Sequence, residues 1–216
     1  LIQHESNGFN QWQATQTLLE RILLEDHKAD AYIQAIKNTL PELVQKDPLL
    51  ASRLFDVPSE NYLASRIDQD YEPELIREKR EAVLNRLARD MGAFWLETYQ
   101  NLDPDLQKEF SLAMGVRALK NIMLSMLARQ GDSTAFDLAH VQYQQTGNMS
   151  ERLGALRVLM WNDAPQAQAT LDDFYSRFKD EALSLDQWFS IQAGKPHATV
   201  ETITARTQHA DYDLST

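Results

Sequence analysis

The chain is 216 residues long, with 43% hydrophobic and 25% charged residues, a globular composition that can bury a core without disulfides or metal ions. It contains no cysteine, which excludes disulfides, thiolate metal sites and cysteine nucleophiles. Its formal net charge is −11, and because phosphate backbones repel an acidic chain, nucleic acid is not an expected partner.

No apolar run approaches the roughly 18 residues that a membrane span requires, so we expect no membrane contact. The lack of cysteine fits a reducing compartment, and we predict a cytoplasmic protein, although many periplasmic proteins also lack cysteine. The chain opens at Leu1 rather than at methionine, so the absence of a visible targeting segment carries little weight.

Apolar residues follow a helical period through most of the chain. Two stripes illustrate it: Ile76, Val83, Leu87, Met91 and Phe94, and then Leu112, Val116, Leu119, Met123 and Met126. In chain order, the predicted helices span 10–25, 30–46, 48–55, 59–67, 73–102, 104–130, 133–146, 149–162, 165–180, 184–193 and 199–209. The segment 198–205 is rich in β-branched residues that suit a strand, but no second strand could pair with it, so we predict a helix.

Signals for helix starts and ends separate these segments. The predicted capping boxes are Asn10 with Gln13, Asn148 with Glu151, and Ser184 with Gln187. Further N-caps are predicted at Asp103 and Asp132, and first-turn prolines at Pro73, Pro104 and Pro165. Three glycines are predicted to end helices in the left-handed conformation: Gly131, Gly147 and Gly194.

These patterns predict an all-α fold. Short linkers make successive helices antiparallel, and the predicted pairs are 104–130 with 133–146, 149–162 with 165–180, and 184–193 with 199–209. Their starts are about 35 to 45 residues apart, the period of HEAT or armadillo-like repeats, although no repeating consensus is visible. We therefore predict stacked antiparallel helical hairpins in an irregular HEAT/armadillo-like solenoid, forming a single domain over residues 1–216.

No complete catalytic or metal-binding motif occurs in the chain. His4 and Glu5 begin like a zincin motif, which needs a second histidine four residues after the first, but that position is Gly8. His197 and Glu201 are four residues apart, yet one histidine and one carboxylate do not make a zinc site. The remaining histidines are isolated: His27, His140 and His209. We therefore predict no catalytic, cofactor-binding or metal residue, and we expect the chain alone to be inactive.

Two further groups of residues point to ion pairing and packing. Between residues 76 and 89, basic and acidic side chains alternate, which indicates ion pairs along an exposed helix face: Arg77, Lys79, Arg80, Arg86 and Arg89 with Glu78 and Glu81. The tryptophans lie among apolar neighbours, which favours core packing, with a buried interdomain contact as the alternative: Trp12, Trp95, Trp161 and Trp188.

Three stretches resemble a known family when taken together and in order: 8–16 (GFNQWQATQ), 148–156 (NMSERLGAL) and 185–193 (LDQWFSIQA). The run 174–178 (FYSRF), just before the last stretch, also matches. They resemble the C-terminal helical domain of bacterial aminopeptidase N, the zinc-dependent alanyl aminopeptidase. The resemblance covers essentially the whole chain and is weakest from residue 25 to residue 100.

The chain departs from this family in two respects. The family usually has arginine where this chain has Gln11, and it continues past Thr216 with an asparagine-proline-rich turn and further helices. Its zinc-binding H-E-x-x-H helix and its amine-binding G-A-M-E-N segment do not occur in these 216 residues, so the resemblance carries over no site residue. It implies a piece of a larger hydrolase whose parent binds zinc, with catalytic and β-sandwich domains elsewhere in the same polypeptide.

The resemblance also implies a function. A helical bowl closed over a zinc site keeps folded proteins out and admits peptides to a sheltered chamber, so we predict a non-catalytic domain that encloses this chamber and limits substrate access. Asn148 then has two interpretations, a helix cap or a residue that faces the chamber. The alternatives are a free-standing helical-repeat interaction module and an all-α enzyme with an unrecognised site. An upstream H-E-x-x-H in the full gene would favour the first hypothesis.

The C-terminal end is predicted to be an unfinished edge of the stack, because a helical stack needs a polar capping unit. Two sets of apolar residues are predicted to lack a covering helix: Val200, Ile203 and Ala205, and in the preceding helix Trp188, Phe189 and Ile191. An exposed apolar patch typically recruits another surface. We therefore expect self-association through this edge or a frayed segment after Gly194.

Overall fold

The computed structural model describes residues 2, 5–25, 27–67, 72–104 and 109–212. Of these residues, 75% are helical, in twelve helices and with no strand among them. The all-α prediction is therefore confirmed, including a helix in the segment that suits a strand by composition. The chain divides into two compact units, residues 1–132 and residues 133–216. The single-domain assignment stays a prediction.

Seven helices form unit 1: α1 (Gly8–Leu24), α2 (Asp30–Lys46), α3 (Pro48–Arg53), α4 (Glu60–Ala64), α5 (Pro73–Met91), α6 (Phe94–Asn101) and α7 (Phe110–Arg129). Five form unit 2: α8 (Thr134–Gln145), α9 (Met149–Trp161), α10 (Ala167–Phe178), α11 (Ala182–Ala193) and α12 (Val200–Thr207).

Helix α7 is the packing centre of unit 1, where it contacts α3, α5 and α6. Gly115 allows the closest of these contacts, because a Cβ atom there would lie 2.6 Å from the Leu49 backbone nitrogen. Within the described chain, α7 is the one helix with the length and hydropathy of a membrane span. Nine of its twenty residues are buried, among them Val116, Leu119 and Met123.

Helix α9 has the corresponding position in unit 2, where α8, α10 and α11 all pack against it. Because neighbours surround it, seven of its thirteen residues are buried, and they include the charged Glu151 and Arg152. Contacts of α9 with α10 and of α11 with α12 confirm two of the predicted hairpin pairs. The predicted pairing of 104–130 with 133–146 would join the two units and stays a prediction.

The predicted helix 73–102 is wrong in one respect, because it is broken into α5 and α6. Gly92 ends α5 with φ +50° and ψ −120°, a conformation that side chains with a Cβ atom rarely adopt. A period-3.6 stripe continues across the break, which is why the pattern alone suggested one helix. Trp95, just after the break, is fully buried and donates from Nε1 to the Ala88 carbonyl oxygen (2.9 Å).

Several predicted helix ends are also wrong. Asn7 rather than Asn10 caps α1, with its side chain accepting hydrogen bonds from the Phe9 and Asn10 nitrogens. Ser184 lies inside α11, where its hydroxyl donates to Glu181. Two further predictions fail in the same way: Ser133 rather than Asp132 is the N-cap of α8, and α10 begins at Ala167 rather than near Pro165. Helix α7 begins at Phe110 rather than at residue 104. The first turn predicted after Asp103 and Pro104 falls on residues 105–108, which lie outside the described residues, so these two stay predictions.

The glycine and proline predictions are confirmed in part. Gly131 has φ +78°, as predicted, and Pro73 lies in the first turn of α5. Gly147 does not adopt a positive φ, and Gly194 has φ −83°, so neither is left-handed. The conformational freedom of glycine at positive φ is therefore not used at these two helix ends.

The basic segment forms ion pairs both with other helices and between neighbouring turns of α5, where Arg86 pairs with Asp90 (3.5 Å). Arg80 pairs with Glu60 of α4 (2.8 Å) and Arg86 with Asp30 of α2 (2.7 Å). Arg77 pairs within α5, with Glu74 (2.7 Å). Ion pairs of this segment therefore form, but with other partners than predicted: Glu81 accepts from Arg129 of α7 (2.6 Å) instead of pairing within α5. Three of these pairs tie α5 to its neighbours in unit 1.

Candidate functional site

The residues that the sequence singles out for zinc do not form a metal site. His4 lies outside the described residues. His197 and Glu201 are both exposed, and Glu201 belongs to the cap of α12, where a backbone N–H and the Thr199 side chain lower the pKa of its carboxyl. Across the described ranges, no three histidine, aspartate or glutamate side chains lie close enough to hold a metal ion.

The second stretch of the family resemblance builds a buried polar corner between α8 and α9. We define this polar corner as Tyr143, Thr146, Asn148, Glu151 and Arg152. The Asn148 side chain caps α9 by accepting from the nitrogen two residues later (2.9 Å), which confirms its structural interpretation. The predicted capping box is not formed, because the Asn148 N–H donates to Thr146 Oγ1 (3.0 Å) and Glu151 accepts from the Thr146 hydroxyl (3.2 Å).

Arg152 fixes this corner from inside. Arg152 is only 6% exposed. Its guanidinium donates to the carbonyl oxygens of Tyr143 (2.9 Å) and Thr146. The same group lies over the rings of Tyr143 (5.3 Å) and Phe178 (5.6 Å). A planar guanidinium suits both roles, because its N–H fork bridges two acceptors while its face stacks on aromatic rings. The end of α8 is thereby held against α9 and α10.

The hydroxyl of Tyr143 connects the polar corner to α10. It donates to the carboxylate of Asp173 (2.7 Å). Burial, and then this hydrogen bond and the negative charge of Asp173, raise the pKa of Tyr143 well above its usual range. The hydroxyl therefore stays protonated at neutral pH. The described hydrogen bonds of this corner link groups within unit 2 and hold α8, α9 and α10 together.

The third stretch lies in α11 and contributes to an aromatic cluster at the C-terminal edge. This cluster comprises Tyr175, Trp188, Phe189, His209 and Tyr212, with ring centroids 4.9 to 5.6 Å apart in the contacting pairs. The Tyr175 hydroxyl also donates to Asp211, which raises the pKa of the phenol. The segment after α12 therefore folds back onto α10 and α11.

This arrangement corrects part of the prediction for the C-terminal edge. Trp188 and Ile191 are buried within the chain, with the indole N–H of Trp188 donating to the Leu171 carbonyl oxygen (3.2 Å). The segment after Gly194 is helical at α12 rather than frayed. Val200 and Ile203, however, are 76% and 40% exposed, as predicted.

The tryptophans outside the aromatic cluster differ in burial. Trp95 is fully buried, which together with Trp188 confirms core packing for two of the four. Trp12 and Trp161 are half-buried. Trp12 packs against the exposed Phe9 (5.9 Å between ring centroids), and the Trp161 N–H donates to the Ile191 carbonyl oxygen (2.9 Å), which joins α9 to α11.

The described helices place the chain in the class of all-α helical-repeat domains. More particularly, it belongs to the family described as "Domain of unknown function (DUF3458_C) ARM repeats", whose model matches residues 1–216. This assignment confirms the armadillo-like prediction.

Two curated relatives are similar to the whole chain. The chain is 29% identical over 233 residues to Aminopeptidase N of Escherichia coli (strain K12), a match that covers 100% of this chain and 26% of the relative. It is 27% identical over 230 residues to Aminopeptidase N of Caulobacter vibrioides, covering 99% and 26%. The chain thus spans about a quarter of the length of the curated relatives it matches, and the family resemblance drawn from its sequence is confirmed.

A solved structure shares the fold. The crystal structure of Legionella pneumophila aminopeptidase A in complex with aspartic acid matches with a TM-score of 0.81 and 23% identity, over 99% of this chain and 27% of that chain. At this level of identity the match supports the arrangement of helices. The three stretches of the resemblance fall in α1, α9 and α11, at the start of unit 1 and at the core of unit 2.

Proposed function

We propose that this chain is a non-catalytic helical domain of a zinc aminopeptidase that removes N-terminal residues from peptides. The observation that carries the proposal is the match of the whole chain to about a quarter of each Aminopeptidase N relative. In such a protein the zinc would be held by another part of the polypeptide, because the described residues offer no suitable group of ligands. The chain's partners would then be the catalytic and β-sandwich domains of the same polypeptide.

We further propose that this domain encloses the active-site chamber and limits substrate access. Helices joined by short connections form stiff walls, and a chamber with stiff walls admits an extended peptide but excludes a folded protein. The cap residue Asn148 is half-buried, and its exposure to such a chamber stays a prediction, as does a cytoplasmic location.

Translating the reading frame upstream of Leu1 gives the first test, since the proposal requires an H-E-x-x-H helix there. The 216-residue chain should not hydrolyse an alanyl nitroanilide, whereas the full polypeptide should do so in a chelator-sensitive manner. Activity that copurifies with the short chain and survives controls for host peptidases would contradict the proposal.

Access is tested separately on the full polypeptide. It should release the N-terminal residue of a free oligopeptide much faster than that of a folded protein with the same N-terminal sequence. The matched control is the folded protein after denaturation and fragmentation, which should become a substrate. Equal rates on the oligopeptide and on the folded protein would contradict a chamber that limits access. They would not contradict the proposal that the chain belongs to an aminopeptidase.

Self-association through the C-terminal edge is a separate proposal. Val200 and Ile203 are exposed, and none of the residues of α12 is buried. Leaving such side chains in water forfeits on the order of 2 kcal/mol each relative to burial. Light scattering should show mass increasing with concentration, and Val200→Ser with Ile203→Ser should abolish the increase, while Thr204→Ser should not. A strict monomer at all concentrations would contradict this proposal.

A further inference from the structure

A groove runs along α1 in unit 1, and its volume is about 730 Å³. We call it the α1–α2 groove and define it by the residues that line it: Ile2, Glu5, Asn10, Gln13, Ala14, Thr17, Leu18, Arg21, Ala31 and Ala35. This volume lies within the range of sites that bind small ligands or short peptides. The family resemblance gives no function for it.

The shape of the groove follows from the sequence of α1. Its lining residues recur at helical spacing from Asn10 to Arg21, so they form one stripe along the helix. The side chains of Ala14, Ala31 and Ala35 form the floor of the groove between α1 and α2, and because they are small they leave space above them. Eleven steps of 1.5 Å from Asn10 to Arg21 give the stripe a length of about 16 Å. The Glu5 carboxylate marks its first end, because the Asn10 side chain lies within hydrogen-bonding reach of it. An extended peptide of about five residues has the same length at roughly 3.3 Å per residue.

The two ends of the groove carry opposite charges. Glu5 lies just before α1, where its carboxylate accepts from the Asn7 backbone N–H (2.9 Å). This hydrogen bond lowers the pKa of Glu5, which keeps it ionised. Arg21 lies in the last turn of α1. Its side chain is exposed, and no acceptor among the residues described in the structure engages its guanidinium.

We propose that the α1–α2 groove binds free oligopeptides of about five residues in an extended conformation, with the ammonium terminus at Glu5 and the carboxylate terminus at Arg21. Charge complementarity sets the direction, because a free peptide carries these two charges at its two ends. Leu18, Ile2 and the alanines of the floor provide apolar contact for the peptide's side chains. This binding goes beyond the proposed function, because it requires no catalysis and stands whether or not the chain belongs to an aminopeptidase.

The test measures binding of Ala-Leu-Ala-Leu-Ala to the 216-residue chain by calorimetry, with amide chemical shifts to locate the site. Amidation of the peptide's C-terminus should weaken binding about three- to fivefold, the effect of one partly exposed ion pair. The same amidation should have no effect on the Arg21→Gln variant. Acetylation of the peptide's N-terminus should likewise weaken binding to the wild-type chain but not to Glu5→Gln.

Two controls separate the groove from general charge effects. Arg206→Gln removes a positive charge from exposed α12 in unit 2 and should leave affinity and both terminal effects unchanged. A tripeptide reaches about 10 Å, so it can contact either Glu5 or Arg21 but not both. Blocking both of its termini should therefore weaken its binding no more than blocking the one terminus that is in contact.

Three results would overturn the proposal. The first is the absence of pentapeptide binding at millimolar concentration, which would leave the groove to another occupant such as a neighbouring domain. The second is chemical-shift changes that lie outside residues 2–35, the range of the groove-lining residues. The third is an equal loss on amidation in the wild-type chain and in Arg21→Gln. Because Arg21 and Glu5 are on the surface, both variants should fold, and far-ultraviolet circular dichroism verifies this.

Discussion

Arg152 illustrates how a single residue can hold a unit together. Its guanidinium is buried, donates to two carbonyl oxygens at the end of α8, and stacks on Tyr143 and Phe178. Those carbonyls belong to Tyr143 in the last turn of α8 and to its C-cap Thr146, where the final carbonyl groups of a helix lack intrahelical donors. A charged donor is therefore worth more here than on the surface, since its loss leaves buried acceptors without a partner.

We predict that Arg152→Met lowers the free energy of unfolding by about 2 to 4 kcal/mol, because it removes two hydrogen bonds from a charged donor and leaves their acceptors unsatisfied. Urea unfolding measures this as a lower midpoint at unchanged m-value. Arg206→Met is the matched control on an exposed helix face and should stay within about 0.5 kcal/mol of wild type. A loss of the same size in both variants would contradict the structural role of Arg152.

Tyr32 has the corresponding role in unit 1, and it makes stability depend on pH. Its hydroxyl is fully buried and donates to the Leu54 carbonyl oxygen (2.9 Å). Burial, and then the negative charge of Asp56, raise the pKa of Tyr32 far above its usual range. The folded state therefore retains a proton that the unfolded chain releases above its own pKa of about 10.

It follows that this part of the stability is complete below about pH 10 and is lost as pH rises further, at up to about 1.4 kcal/mol per pH unit. Tyr32→Phe should be less stable than wild type by about 1 kcal/mol near neutral pH, and the difference should shrink above pH 10. Phe9→Leu, at an exposed ring without a hydroxyl, is the control and should keep the wild-type dependence on pH. Parallel curves for wild type and Tyr32→Phe would contradict this assignment.

At the scale of the elements, helix ends depend on local chemistry that competes with the apolar period. Thr199 and Thr202 form a reciprocal capping box at the start of α12, which explains why a segment rich in β-branched residues becomes a helix. The sequence contains the spacing of a capping box, with Thr202 three residues after Thr199, but threonine replaces the glutamate or glutamine that usually occupies the second position. Gly92 has the opposite effect and ends a helix that the apolar stripe would continue.

We predict that Gly92→Ala costs about 1 to 2 kcal/mol of stability. No atom lies within 4 Å of the added Cβ, so the penalty comes from the positive φ alone. Gly147→Ala is the matched control, because its Cβ also meets no atom within 4 Å and its φ is not positive; this variant should be neutral or slightly stabilised. Thermal unfolding measures the stability of both variants. Equal losses of stability in Gly92→Ala and Gly147→Ala would show that the positive φ of Gly92 is not the cause.

At the scale of the whole molecule, the chain comprises two helical units. One family model matches all of it, and it spans about a quarter of the length of the curated relatives. Its described residues contain buried charges and clusters of aromatic rings, but these link helices to one another. The two surfaces proposed to bind other molecules are the α1–α2 groove in unit 1 and the exposed face of α12 in unit 2.

For the whole chain we predict that zinc does not bind with useful affinity. The reason is that zinc needs three or four nitrogen, sulfur or carboxylate ligands in one place, and the sequence has neither cysteine nor paired histidines at ligand spacing. Metal analysis of protein purified without chelators should find much less than one zinc per chain. The full polypeptide, prepared in the same way, is the positive control, and tight stoichiometric zinc in the short chain would contradict the prediction.

The sequence by itself determined the all-α fold, most helix positions and the family. Helical periodicity is a local property, and the predicted core residues Ile76, Val83, Leu87, Leu119 and Met123 are indeed buried. The family followed from three short stretches in register, which needs no knowledge of packing.

Only the tertiary structure decided where charge is buried and where a groove remains open. Arg152 reads as an ordinary surface residue of a helix, and its burial depends on α8 and α10 closing around α9. The α1–α2 groove likewise depends on the spacing of two helices, which small alanine side chains set only once the helices are packed. Both properties arise from contacts between helix faces, and these are fixed by the free energy of the whole packed arrangement rather than by the period of any one segment.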